Sequence, residues 1–541
     1  MPSSSSERRW PTSAPRKTRR QSTQPSASSP ARPSRTRALP GGLPENATAA
    51  REQLAAGRPA LVWRKLVADT ETPVSAALKL IEPGRGDFLL ESVEGGEVRG
   101  RYSLLGIDAD LMFRATGNAC EVNRSWRHDR EAFEPLPGGS LEELRALAAA
   151  CRIDVPEDLP PIACLVGYFG YETIGLVEKL PRAPQSELSL PDMLFARPTL
   201  ICVFDRLSDD LFCIAPLWVG SIDPDAAIEA AGERIDEAMR KLSVAAPEPL
   251  RAPDLPAMAL EPVMDPAEYE RIVLAAKDYI TAGDIFQVVL AQRFTCPFPL
   301  PPFALYRALR RVNPSPFLYF LDLPGFAVVG SSPEILVRVR DGEVTIRPIA
   351  GTRPRGATRE LDEAAEASLL ADPKECAEHL MLLDLGRNDV GRVAAADSVH
   401  VTASFTVERY SHVMHIVSNV VGRLDPKKDA LDALFAGFPA GTVSGAPKVR
   451  ACQVIAELEP ETRGPYAGGV GYFAPDGSVD SCIVLRTAVV KDGVMHVQAG
   501  AGIVADSDPA YEQRECEAKA GALIAAAREA ARVATEPGFG Q

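Results

Sequence analysis

The run Ile335-Leu336-Val337-Arg338-Val339-Arg340-Asp341-Gly342-Glu343-Val344-Thr345-Ile346-Arg347-Pro348 sets two short β-branched stretches around an Asp-Gly pair. Asp-Gly accepts positive φ at two consecutive positions, which a two-residue hairpin turn requires. The flanking stretches are rich in Val and Ile and partly alternate with charge, as a half-buried strand does. Strands are therefore predicted at 335–340 and 344–348, paired antiparallel. Working outward, similar runs occupy 286–295, 317–323 and 326–330 on one side, and 413–421, 468–473, 481–490 and 494–499 on the other. Helical periodicity appears near 302–312, 362–392, 447–459 and 509–534. A further helix opens at Asp265-Pro266 with Glu268 and ends at Gly283. Strands outnumber helices and many are hairpin-spaced. The predicted class is α+β, with antiparallel β-sheets packed against helices.

The first half reads as a smaller N-terminal α+β domain over 45–245. Thr72-Pro73 is a helix start, and Pro83-Gly84 stops that helix. Strands are predicted at 88–90, 102–105, 162–169 and 200–204, and a helix at 224–242. Ser140 with Glu143 has the spacing of a capping box. Pro247, Pro249, Pro253 and Pro256 interrupt regular structure and place a linker at 246–260, before a second domain at 261–535. Residues 1–44 are rich in Ser, Pro and Arg and nearly lack large apolar side chains. A disordered basic tail is predicted there. That composition also suits a transit peptide, but frequent Pro and the lack of an amphipathic helix favour a plain tail.

The 541 residues are 46% hydrophobic and 24% charged, an ordinary globular balance, and no apolar run is long enough to span a bilayer. Residues 1–40 carry nine basic residues and one acid. With +8 in that segment and −14 overall, the rest carries −22. An acidic body argues against nucleic-acid binding and against a membrane surface, and an anionic substrate would need local cations. The ten cysteines show no C-x-x-C pair, so neither a zinc site nor a disulfide scaffold is expected. Reduced thiols in a cytoplasmic protein are the simplest reading.

Two carboxylate pairs stand out. Glu375 and Glu378, like Glu512 and Glu515, lie three apart in helical stretches, which puts each pair on one helix face. Carboxylates are hard ligands suited to Mg²⁺, which takes one or two from protein and keeps waters or substrate oxygens. Spacing alone leaves solvated helix surface as the ordinary alternative. The glycine-bearing segments Gly351–Gly356, Gly441–Gly445 and Gly500–Gly502 read as turns whose amides could face an anion. Neither a P-loop nor a dinucleotide fingerprint is complete. Ala446-Pro447 precedes Lys448, and Gly500-Ala501-Gly502 has no third glycine.

The second half resembles the chorismate-utilising enzymes, and among them the large subunits of anthranilate synthases. The resemblance rests on Ala282–Val289, Asn313–Phe317, Gly330–Glu334, Arg347–Gly356, Glu378-His379, Asp384–Asp389, Ser444–Lys448 and Gln498–Gly502, in order across about 260–530. A weaker match runs through Leu89–Ser92 and Arg101–Ser103. The resemblance implies a Mg²⁺-dependent carbon–oxygen lyase. Ammonia would aminate chorismate at C2, and pyruvate would then be eliminated to give anthranilate, the first committed step of tryptophan biosynthesis. It implies Glu378 and Glu515 as metal ligands, with Glu375 and Glu512 joining through water. Chorismate contacts would fall on Gly351, Thr352, Tyr466, Arg486, Gly500, Ala501, Gly502 and Lys519, and the catalytic group would be His415, Glu375 and Thr352. On alternation alone His415 would be a core histidine beside Val413 and Val417.

Two positions discriminate among relatives. Aminodeoxychorismate synthases carry a lysine nucleophile where this chain has Ala350, and isochorismate-forming members carry a lysine base where it has Gln287. Neither alanine nor an amide can do those jobs. The resemblance further implies a separate glutamine amidotransferase subunit that delivers ammonia, hence a hetero-oligomer. It also implies feedback inhibition by tryptophan bound at Ser92, Pro316, Phe317 and Leu318, beside Leu90-Glu91. Phe317 stands where tyrosine is common. The other readings at this point are an aminodeoxychorismate synthase component and a non-catalytic tryptophan-binding paralogue.

Overall fold

The computed structural model describes residues 42–535, apart from 95–97, 221–222, 248–250, 253–254 and 411–412. The tail expected at 1–44 lies outside the described residues up to 41. Pro44 is already buried and faces Gly232 of a helix, so ordered packing begins before residue 45.

Strand Met193–Asp205 is the branch point of the sheet. One of its edges pairs with Tyr102–Thr116, and the other takes Asp210–Leu217 and Leu165–Phe169 at opposite ends. From Tyr102–Thr116 one limb runs through Asp87–Glu91, Phe317–Leu323, Phe326–Ser332, Thr487–Lys491 and Val494–Ile503 to Gln287–Pro297. From Leu165–Phe169 a second limb runs through Gly469–Phe473, Val479–Ile483, Ile335–Arg340 and Glu343–Ile346 to Val413–Arg423. Ile349–Pro354 and His400–Arg409 flank that last strand. All of these pairings are antiparallel, as the class prediction requires. The Asp341-Gly342 turn has φ of 51° and 73°, the left-handed pair that Asp-Gly supplies at low cost.

Each limb carries one of the two glutamate-bearing helices. Pro373–Gly391 packs on Ile349–Pro354 and Val413–Arg423, and Pro509–Thr535 packs on Val494–Ile503. One hydrophobic core extends from Ala47 to Ala534. The described residues from Leu43 onward form a single compact unit, and strand pairing crosses the segment 246–260 expected as a linker. Asp87–Glu91 pairs with Phe317–Leu323, and Leu165–Phe169 pairs with Gly469–Phe473. The first-half strands are thus built into the same sheet as the second-half strands.

Several local expectations are corrected. The helix expected over 362–392 is two, Arg359–Leu370 and Pro373–Gly391. Asp372 ends one and caps the next, accepting from the amides of Lys374 at 3.0 Å and Glu375 at 3.3 Å. The strand expected over 481–490 is split at Arg486, whose φ is 48°. The Ser140 capping box does not form. The N-cap is Gly139, Ser140 Oγ donates to the Gly117 carbonyl at 2.7 Å, and only Glu143 reaches back, to the Gly138 amide at 2.9 Å. Gly500–Gly502 is not a turn but the interior of strand Val494–Ile503. Gly351–Pro354 likewise belongs to a strand, with the register shifting between Ala350 and Thr352.

Candidate active site

His415 stands on the central strand of three, with Thr352 opposite on one side and Glu408 on the other. The bulge at Gly351, φ 68°, brings the Gly351 carbonyl within 2.9 Å of His415 Nδ1 and Thr352 Oγ1 within 3.1 Å. A carbonyl can only accept, so Nδ1 carries the proton and the lone pair is on Nε2. Burial lowers the imidazole pKa, and nearby Arg486 pushes the same way. His415 is therefore a neutral ring at physiological pH, a base through Nε2. Glu375 belongs to this corner too. Arg353 Nη1 donates to it at 2.9 Å, and a Cβ on Gly351 would sit 3.1 Å from its Oε2.

Glu378 and Glu512, on different helices, both feel the charges of Lys374 and Lys519. Glu378 accepts one long hydrogen bond, 3.4 Å, from Gln287 Nε2. Burial raises its pKa and Glu375 adds to the rise, while Lys374 and Lys519 oppose it. Glu512, on the other helix, is raised by burial and by Glu515 and lowered by Ser507, Lys519 and Lys374. The two helices thus share one electrostatic neighbourhood. Lys519 Nζ bridges Glu515 at 2.7 Å and the Gly500 carbonyl at 2.9 Å. Gly500 of strand Val494–Ile503 meets fixed backbone, whereas Gly502 meets only the end of a side chain. A Cβ at Gly500 would lie 2.8 Å from the Leu290 carbonyl and 2.9 Å from Tyr466 Oη, and one at Gly502 would lie 2.8 Å from Gln287 Nε2. Ala501 is buried between them. Gln287 Oε1 is buried and has no hydrogen-bond partner, an acceptor waiting for a donor.

Arg486 is half-buried, and no side-chain hydrogen bond to it occurs among the described residues. Burial depresses its pKa, and Tyr410 and Glu334 are its compensating neighbours. A desolvated guanidinium without a carboxylate partner suits an incoming one. Glu334, in the run Gly330–Glu334, lies beside Arg486 and carries no site role on sequence alone. Burial pushes its carboxyl up to about 8, against hydrogen bonds from Thr442 and the opposing Arg486 charge. An acid directly after Pro333 and between apolar strand stretches was the available signal.

Behind this site Arg463 and Glu459 form a fully buried ion pair at 2.5 Å. Arg463 also donates to the carbonyls of Val289 at 2.7 Å and Val443 at 2.8 Å, Glu459 accepts from the Ala291 amide at 2.8 Å, and the guanidinium lies over the Tyr466 ring. Sequence reasoning gave this pair no role.

The residues expected to bind an effector gather elsewhere. Ser92, Pro316, Phe317 and Leu318 line one cavity of about 730 Å³, together with Leu90 and Glu91. Glu91 is buried and fully engaged, by Arg310, Arg206 and Tyr306 at 2.7–2.9 Å.

Among the described residues no three His, Cys, Asp or Glu side chains form a metal-holding group. The donor set is of the kind Mg²⁺ uses, one or two carboxylates completed by water or substrate. Glu378, half-buried with one long hydrogen bond, is the carboxylate that a cation would best compensate. No helix is long and apolar enough to cross a membrane among the described residues.

Residues 87–525 match the family of chorismate binding enzymes. The chain is 54% identical to anthranilate synthase component 1 of Cereibacter sphaeroides, over 90% of this chain and 98% of that protein. It is 46% identical to that of Pseudomonas aeruginosa, over 85% and 94%. The crystal structure of anthranilate synthase component I from Streptococcus pneumoniae superposes with a TM-score of 0.71 at 36% identity, over 85% of this chain and 99% of that one. The chain belongs to the chorismate binding enzymes, within the family of anthranilate synthase component 1.

Proposed function

We propose that this chain aminates chorismate at C2 with ammonia and then expels pyruvate to give anthranilate. The observation that carries this reading is the convergence of Glu378 and the Glu515–Lys519 pair around Gly500–Gly502, with the amide of Gln287 rather than a basic side chain beside them. Glu378 and Glu515 would hold Mg²⁺, with Glu375 and Glu512 reaching it through water. The ion supplies charge neutralisation for a substrate carboxylate. Arg486 and Lys519 provide cations for the anionic substrate, and the close-packed glycines let backbone amides approach it.

The chain's own groups then divide the proton work. Glu334, protonated at neutrality, donates to the departing C4 hydroxyl while nitrogen bonds to C2, so water leaves. His415 removes the C2 proton through Nε2 as the C3–O bond breaks, and the enolpyruvyl group departs as the enolate of pyruvate, which takes up a proton at its methylene carbon. Raised carboxyl and lowered imidazole pKa values support giving the acid and base roles to different groups. Nitrogen comes from a separate glutamine amidotransferase subunit, a partner in keeping with the component 1 name of the relatives. Tryptophan bound in the Ser92 cavity inhibits. Ten cysteines, all free, suit the cytoplasm.

The purified chain, given chorismate, Mg²⁺ and ammonium, should produce fluorescent anthranilate and pyruvate. It should fail with glutamine in place of ammonium, slow with tryptophan, and stop without the metal. Accumulation of 4-amino-4-deoxychorismate or isochorismate instead would overturn the reading.

A further inference from the structure

The catalytic histidine and the Ser92 cavity share a wall. His415 lies between two strands, and both continue into the cavity lining, one at Ile349 and the other at Glu408 and Arg409 followed by Tyr410. Tyr410 is buried, and its ring meets the His415 imidazole edge-on, with centroids 5.5 Å apart and planes at 63°. The Tyr410 hydroxyl donates to Glu408 Oε2 at 3.1 Å, and the other Glu408 oxygen accepts from Arg347, itself on the cavity wall. The Tyr410 backbone is tied as well. Its amide donates to the Val413 carbonyl at 2.8 Å, and its carbonyl accepts from Arg355 Nη1 at 2.7 Å. The ring is thus fixed at its hydroxyl and at its backbone, with the imidazole on one side and the cavity on the other.

We propose that Tyr410 is a positioning residue for His415, and that Tyr410, Glu408 and Arg347 form the wall through which occupancy of the cavity reaches the catalytic histidine. The coupling half rests on the reading of the cavity as a tryptophan site. A packed wall of this kind responds by discrete rearrangement rather than smooth deformation. A ligand entering at Ser92 and Phe317 that re-seats Arg347 or Glu408 would release the hydroxyl, and the ring would no longer hold the imidazole edge. The histidine would lose alignment while substrate contacts at Arg486, Lys519 and Gly500 stayed in place. Inhibition would then lower kcat more than it raises KM.

The test uses Tyr410→Phe and Glu408→Gln in the full chain. Both keep side-chain volume; Tyr410→Phe removes the hydroxyl, Glu408→Gln removes the charge that holds Arg347, and thermal melts confirm folding. Tryptophan affinity is read by calorimetry, and ammonium-dependent kcat and KM for chorismate are read with and without saturating tryptophan. The expectation for both variants is a kcat at least about 5-fold lower with KM within about 2-fold, and tryptophan Kd within about 3-fold of wild type. Saturating tryptophan should leave at least about 10-fold more of each variant's own rate than it leaves in wild type, within the usual range of allosteric coupling. If wild type binds no tryptophan, the effector reading falls and the coupling half falls with it, while the kcat split still decides the positioning half. If wild type binds and both variants match its kcat and its inhibition, the proposal is overturned with the effector reading intact.

Discussion

The active site and the Ser92 cavity share a wall but balance charge differently. At the active site, polar groups are left short of partners. Among the described residues Arg486 makes no side-chain hydrogen bond, Gln287 Oε1 is buried and unpaired, and Glu378 has one long bond. In the cavity, charges are matched within the fold. Arg101 pairs with Asp205, Arg338 with Asp480, Arg347 with Glu408, and Glu91 with Arg310 and Arg206. Buried groups lacking partners are costly, and a site that carries them recovers the cost when a charged ligand binds. The cavity has little to recover in this way. A ligand there must be recognised mainly by shape and by the pairs it displaces, which suits a regulatory role better than binding of a dianion.

That contrast breaks most sharply at Glu378. Glu378→Gln should lower ammonium-dependent kcat/KM by about 10³-fold or more, equivalent to ~4 kcal/mol of transition-state stabilisation. Tryptophan binding by calorimetry should be untouched. Loss of both would join the two regions into one functional unit.

Arg463 tests the floor beneath the active site. Arg463→Ala leaves Glu459 buried and unpaired, and urea unfolding should show a loss of about 3–5 kcal/mol. A variant as stable as wild type would show that the pair is not a structural hub.

Glu334 sharpens the comparison through pH. Its folded pKa of about 8 exceeds the ordinary 4.5, so the folded state holds a proton that the unfolded state releases between those values. The folded state therefore loses stability from this group as pH rises from about 4.5 to about 8. Below that window the contribution is flat. Activity that needs the protonated acid should fall above about pH 8. Glu334→Gln should remove that limb of the profile and lower kcat by about 10²–10⁴-fold. An unchanged alkaline limb in the variant would take the proton from another group.

The smallest effect belongs to the cavity. Ser92→Phe fills space at the effector end and should weaken tryptophan inhibition by ~1–3 kcal/mol of coupling, with ammonium-dependent kcat near wild type. Undiminished inhibition would move the effector away from Ser92.

Helices with strong punctuation were legible to the residue. Pro224–Leu242 is predicted and observed alike, because Asp223 caps it and proline opens it. Strands 317–323 and 335–340 are likewise observed as predicted. Gly500–Gly502 was misread for an instructive reason. Local propensity makes Gly-Ala-Gly a turn, but here glycine is demanded inside a strand at Gly500 by Leu290 and Tyr466 crowding from elsewhere. Ser140 was misread in the same way, since its hydroxyl is taken by Gly117 of a neighbouring hairpin.

The sequence by itself determined the α+β class, the Asp341-Gly342 hairpin turn and the helix faces that carry Glu375, Glu378, Glu512 and Glu515, because dihedral preference and side-chain period act over a few residues. Only the tertiary structure decided that two helices more than a hundred residues apart share one field, that Glu334 keeps its proton near neutrality, and that His415 packs against Tyr410 on the wall of the Ser92 cavity. Those properties come from desolvation and packing between distant segments, which no local pattern encodes.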